Sequence, residues 1–259
     1  MSSQTTLNKQ LATEPCYLNE RDLRVDLAAA YRLLHYYGMT ETIHSHISVR
    51  VQAKPELFLI NPYGMLFDEI CASDLVLVDR NGNIIDQANV EINQAGFTIH
   101  SAIHSGRSDA QAIFHAHTIN GMAIAAMKDG LLPLNQASMQ FYHRVAYHPF
   151  EGIALDLDER ERIVASLGEK NSLILQNHGL LTVGRTIAEA FYYMYNLNRV
   201  CEIQVKAMST NAEMLIPSPD ICEHTARQFE DPEFHNQEVQ RVWQANRRLL
   251  DRIDPSYVK

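Results

Sequence analysis

The chain has 259 residues, of which 46% are hydrophobic and 20% charged, and a formal net charge of −9. That length buries a substantial core without disulfide or metal staples, and the composition is that of an ordinary soluble globular protein. Its acidic residues are spread along the chain, which excludes the basic surface that nucleic acid or an anionic membrane requires of a partner.

Residues 1–20 have little periodic apolar pattern and read as an N-terminal arm. From Asp22 to Tyr37, Leu23, Leu27, Ala30, Leu33, Leu34 and Tyr37 recur at helical spacing, and Gly38 closes the run. The period then changes. Ile47–Val51, Leu57–Ile60 and Leu75–Val78 read as strands, and Asp79-Arg80-Asn81-Gly82-Asn83 as a hairpin turn into Ile84–Ile85. A helix is predicted over 94–105, a strand over 112–117, and a short Ala/Met-rich helix up to Lys128. Glu159–Leu167 reads as a helix, Ser172–Gln176 as an apolar strand ended by Asn177-His178-Gly179, and 187–208 as the longest helix. Pro217 and Pro219 mark a loop, and Glu238–Arg252 reads as a terminal helix carrying Trp243. This mixture of strands and helices predicts a layered α+β or α/β domain.

Cys16, Cys71, Cys201 and Cys222 are scattered, without a CxxC, and fit thiols in a reducing compartment. Residues 1–18 lack the apolar core of a secretory signal, and no stretch approaches 18 apolar residues. A cytoplasmic location is expected.

Twelve histidines are present. His35, His104, His143, His148, His224 and His235 are isolated and read as ordinary surface or hydrogen-bonded residues. His115-Ala116-His117 differs, because it ends a predicted strand. Residues i and i+2 of a strand share a face, so both imidazoles can approach one ion at ~2.0–2.1 Å. His178 follows another strand and precedes a glycine. Three histidines leave a tetrahedral ion one open position, the arrangement of a catalytic metal. The competing reading of His178 is a simple strand cap. A second pair, His44-Ser45-His46, stands at the entry to the first strand, where a pocket role or a structural one is expected ahead of ligation.

Taken in order, several segments resemble the class II aldolase/adducin head family across roughly residues 22–210. They are Gly38, His46-Ile47-Ser48-Val49-Arg50, Phe58-Leu59-Ile60-Asn61-Pro62-Tyr63-Gly64, residues 93–104, His115-Ala116-His117-Thr118 and Asn177-His178-Gly179-Leu180. The resemblance implies a three-layer α/β/α domain with a largely antiparallel central sheet, and a homo-oligomer with a tetramer favoured. It implies a family-type domain over 21–215 followed by a helical extension over 216–259. It also implies a divalent metal on His115, His117 and His178, Zn2+ first, with Mn2+ or Fe2+ as alternatives, acting as a Lewis acid.

The sequence departs from the sugar-phosphate aldolases of that family. They carry Ser-Ser-Glu, with a glutamate that ligates metal and moves protons, where this chain has Gln94-Ala95-Gly96. Their phosphate-binding positions correspond to His46, Tyr63, Gln94 and Ala95, which supply fewer small donors for a phosphate. Asn61-Pro62-Tyr63-Gly64 with Asn93-Gln94-Ala95-Gly96-Phe97 is closer to the adducin-like branch. The expected function is therefore a metal-dependent carbon–carbon lyase, by retro-aldol cleavage or decarboxylation, on a small non-phosphorylated carboxylate or keto substrate. Glu91 and His100 are the candidate catalytic groups, and His46, Tyr63 and Gln94 the candidate substrate contacts. A non-catalytic adducin-like binding domain is the alternative, with an Fe(II)-dependent oxygenase behind it. Tyr257 is a candidate proton donor to a neighbouring pocket.

Overall fold

Asn19 opens the first helix, accepting a hydrogen bond from the Asp22 amide at 2.9 Å. The computed structural model describes residues 19–153 and 158–259, so the predicted arm lies outside the described residues except for its last two positions. Helix α1 (Glu20–Tyr36) buries Leu23, Leu27, Ala30 and Leu34, the residues spaced for one face. Strands β1 (His46–Arg50), β2 (Leu57–Ile60) and β3 (Val76–Asp79) follow. The predicted partner at Ile84–Ile85 shrinks to one bridge, Val78 to Ile84.

Next come α2 (Gln94–Gly106), β4 (Ala112–Ala116), α3 (Ile119–Ala125), α4 (Gln136–Met139) and β5 (Val145–His148). After them lie α5 (Glu159–Leu167), β6 (Ser172–Leu175), β7 (Gly179–Gly184), α6 (Ile187–Met208), α7 (Pro219–Glu230) and α8 (Pro232–Ile253). A 3-10 turn over Pro255–Val258 ends the chain. The sheet order is β3-β2-β1-β4-β7-β6-β5. Every pairing is antiparallel except β5 with β6.

Alternation along the strands divides the layers. Ile47, Val49, Phe114 and Ala116 face α1, α6 and α8 in the largest cluster of the core. Ile113, Leu173, Leu181 and Val183 face the opposite way, onto Ile99 and Ile103 of α2 and Ile163 and Leu167 of α5. The result is the three-layer α/β/α domain with a mainly antiparallel sheet.

Four elements differ from the sequence reading. Strand β7, central in the sheet, went unread because it is buried along its whole length and shows no alternation. The same holds in part for β5 at the sheet edge, whose four residues alternate poorly. Pro219 begins a helix rather than marking a loop, since the first helical turn leaves the missing N–H without cost. The last helix likewise starts at Pro232, six residues before the predicted Glu238, with Asp231 capping the Phe234 amide at 2.9 Å.

Beyond residue 216, Val239, Trp243, Leu250 and Tyr257 pack into the same core as α1 and α6. Cys71, Cys201 and Cys222 are free thiols. Among the described residues, no helix is long and apolar enough to cross a membrane.

Candidate metal centre

The centre is built where β4 ends and where β6 turns into β7. His115 lies within β4, opposite Leu181 of β7 on one side and His46 of β1 on the other. His117 follows the strand, just before Thr118 caps α3 by accepting from the Gly121 amide at 3.0 Å. His178 sits in the β6–β7 turn. Asn177, with φ +55°, takes the left-handed conformation that this turn needs. Gly179 serves a different purpose from the turn expected of it. A Cβ there would stand 2.8 Å from the Ala116 carbonyl oxygen and 3.0 Å from the His117 ring, so glycine lets β7 approach the ligands.

The three imidazoles converge through their Nε2 atoms. His115 Nε2 lies 2.8 Å from His117 Nε2, which lies 3.0 Å from His178 Nε2. The opposite nitrogens identify the tautomers. His115 Nδ1–H donates to the Leu180 carbonyl at 2.9 Å, and His117 Nδ1–H donates to Glu41 at 2.6 Å. Both Nε2 atoms therefore carry lone pairs aimed at one point. Such close lone pairs repel unless a cation lies between them, and tetrahedral Zn–N bonds of ~2.0–2.1 Å demand only slightly wider spacing. The residues fit a divalent metal. Burial keeps His115 well below its ordinary pKa and lowers that of His178 to about 4, which favours the neutral, ligating form. Glu41 was not foreseen. It lies 76 residues from His117 in sequence and is the carboxylate that orients the His117 imidazole.

A cavity of about 640 Å³ opens over the triad, with His117 and His178 in its wall. His46, Tyr63, Glu91 and Gln94 also line it, so four of the five predicted non-ligand residues are brought together there. His100 is not. It is fully buried behind His46, whose Nδ1 lies 2.8 Å from His100 Nε2. Tyr257 is also buried, with its hydroxyl donating to Asp251 at 2.5 Å and accepting from Arg247 at 3.2 Å, and it does not line this cavity.

Gly96 explains the position of His46. A Cβ at residue 96 would lie 2.5 to 2.8 Å from three atoms of the His46 ring. The imidazole thus occupies the volume into which any side chain at 96 would grow. Beneath it, His46, Ser48 and Arg50 form the second face of β1 and run along Gly96, His100 and His104 of α2. Two strand residues advance roughly 6.6 Å and four helical residues about 6 Å, so the rows stay in step. Ser48 Oγ contacts His100 Nδ1 at 2.5 Å and His104 Nε2 at 2.8 Å. His104, read from sequence as ordinary, belongs to this buried row. The available signal was the i, i+4, i+8 spacing of Gly96, His100 and His104.

A histidine triad on this three-layer scaffold defines the class. Residues 25–205 match the family model described as Class II Aldolase and Adducin N-terminal domain, and the chain belongs to that family. It is similar to an aldolase II superfamily protein from Pseudomonas syringae, with 48% identity, a TM-score of 0.87, and coverage of 93% of this chain and 96% of that one. An L-fuculose 1-phosphate aldolase from Glaciozyma antarctica PI12 superimposes with a TM-score of 0.82 at 29% identity, covering 95% and 97% of the two chains. Alpha-adducin of Rattus norvegicus is 47% identical over 194 residues, which are 74% of this chain and 26% of that longer relative.

Proposed function

We propose that the chain is a metal-dependent carbon–carbon lyase of the class II aldolase type. Its substrate is a small non-phosphorylated carboxylate or keto compound, cleaved by retro-aldol reaction or decarboxylation. One observation carries this reading: three imidazole Nε2 atoms meet beside an open cavity. A divalent cation bound there, Zn2+ before Mn2+ or Fe2+ for this donor set, supplies Lewis acidity to a carbonyl or carboxylate oxygen.

The chain's own residues complete the assignment. Tyr63, Gln94 and His46 bind and orient the substrate, and Glu91 at the cavity rim moves the proton. His100 touches no cavity surface, so its role becomes that of a positioning residue behind His46. Among the described lining residues there is no lysine or arginine, whereas Glu41 and Glu91 are both present. A phosphate dianion would meet no cationic side chain there, which supports a substrate without one. A homo-oligomer, with a tetramer favoured, and a cytoplasmic location are part of this reading.

The identity with alpha-adducin favours a second reading, a non-catalytic binding or assembly domain with a structural metal. The discriminating experiment incubates zinc-loaded protein with a panel of small hydroxy and keto acids and follows carbonyl or CO2 release. Turnover that falls at least about 100-fold in His178→Ala supports the lyase. No turnover by fully loaded wild type across the panel rejects it in favour of the binding domain.

A further inference from the structure

The buried row behind the cavity has a direction. A backbone carbonyl only accepts, so the 3.1 Å contact between His104 Nδ1 and the Ala110 oxygen fixes the proton on Nδ1. His104 Nε2 then bears a lone pair and must receive the Ser48 hydroxyl proton at 2.8 Å. Ser48 has one proton to give. Its 2.5 Å contact with His100 Nδ1 is consequently made by an N–H donating to the hydroxyl oxygen. His100 Nε2 is left as an acceptor, so His46 Nδ1–H donates to it at 2.8 Å. Among the described residues no carboxylate touches any of these three rings, and Arg50 donates to the backbone carbonyl of His104, so none of them stabilises an imidazolium. The polarity set at Ala110 is transmitted intact to the cavity wall. His46 Nε2 has no hydrogen-bond partner among the described residues.

We infer that this relay holds His46 Nε2 as a permanent hydrogen-bond acceptor facing the cavity, and that the site accordingly selects a hydroxy acid over the corresponding keto acid. The inference rests on the carboxylate reading above and narrows it. A ligand placing a carboxylate oxygen at the metal centre meets His46 with its neighbouring substituent, because His46 is the cross-strand neighbour of His115. A hydroxyl there donates to the lone pair. A ketone oxygen offers only further lone pairs and leaves the buried acceptor unpaired, a mismatch that separates ligands more strongly than shape. Ser48 and His104 act as positioning residues, since they set the tautomer without touching the ligand.

Two measurements on the zinc-loaded protein test this. Long-range proton–nitrogen correlation on 15N-histidine-labelled wild type should show pyrrole-type Nδ1 and pyridine-type Nε2 for His46, His100 and His104. A protonated Nε2 on His46 overturns the relay. Binding of glycolate is then compared with that of fluoroacetate, which is similar in size but has no proton to donate. Wild type should prefer glycolate by about tenfold more than Ser48→Ala does, with the preference restored in Ser48→Thr. Metal chelation by the glycolate hydroxyl is common to all three proteins and cancels. An equal preference in wild type and Ser48→Ala overturns the selectivity. If wild type binds neither acid at millimolar concentration, the carboxylate reading and the hydroxy-acid class both fall, while the tautomer stands on the nitrogen spectra alone.

Discussion

Gly96 and His46 share one volume, and neither can be understood from its own position in the chain. Extending Gly96 to alanine forces the His46 ring to move, because the added Cβ would lie within 2.8 Å of it. Overpacking of this kind costs about 1–3 kcal/mol. We expect Gly96→Ala to lose stability in that range and His46→Ala/Gly96→Ala to recover much of it, measured as a double-mutant cycle by urea unfolding. Strict additivity of the two substitutions would show that they do not share space. The convergence of His115, His117 and His178 was legible in sequence, because HxH at a strand end fixes both rings on one face and His178 closes a second strand. Glu41, Ser48 and His104 were not. Their contacts depend on the register of β1 against α2 and on the loop after α1, which local spacing does not encode.

The turn between β6 and β7 holds one ligand and admits the next strand. Asn177 accepts the left-handed backbone, with φ +55°, and its amide donates to the Ala125 carbonyl at 2.9 Å. Asn177→Val should cost about 1–2 kcal/mol, because a β-branched residue tolerates that conformation poorly. Gly179→Ala should act on function more than on stability. Its methyl group would push against His117 and the end of β4, so zinc affinity should fall at least about tenfold by competition with a chromophoric chelator. Unchanged affinity would show that β7 can retreat without moving the ligands. The helices read well at this scale, since α1, α2, α5 and α6 show the 3.6-residue period, and α1, α2 and α6 begin at side-chain caps. Among the strands β5 and β7 were missed: β7 offers six consecutive residues without a polar face, so periodicity gave no boundary.

Across the molecule, a neutral polar row sits inside the sheet–helix interface, and its chemistry sets how the fold responds to acid. Burial drives His46 and His100 well below the ordinary value of 6.5 and brings His104 to about 3. In the unfolded chain these groups take up protons near pH 6.5, while the folded chain excludes them. The unfolded state therefore binds more protons below that pH, and stability falls as pH drops from about 6.5 toward 3. The expected slope is about 1.4 kcal/mol per pH unit for each such group. Urea unfolding of metal-free protein at pH 7, 6 and 5 checks it, and a flat or rising stability over that interval would show these rings already charged or exposed.

The central claim is that His115, His117 and His178 form one open divalent-metal site. Its most direct measurement is a zinc titration combined with metal-edge diffraction from the loaded crystal. We predict one ion per chain, bound by the three Nε2 atoms and a displaceable water in the cavity, with His115→Ala and His178→Ala retaining none. Wild-type protein with no affinity for Zn2+, Mn2+ or Fe2+, or an ion sealed by a fourth protein ligand, would contradict it.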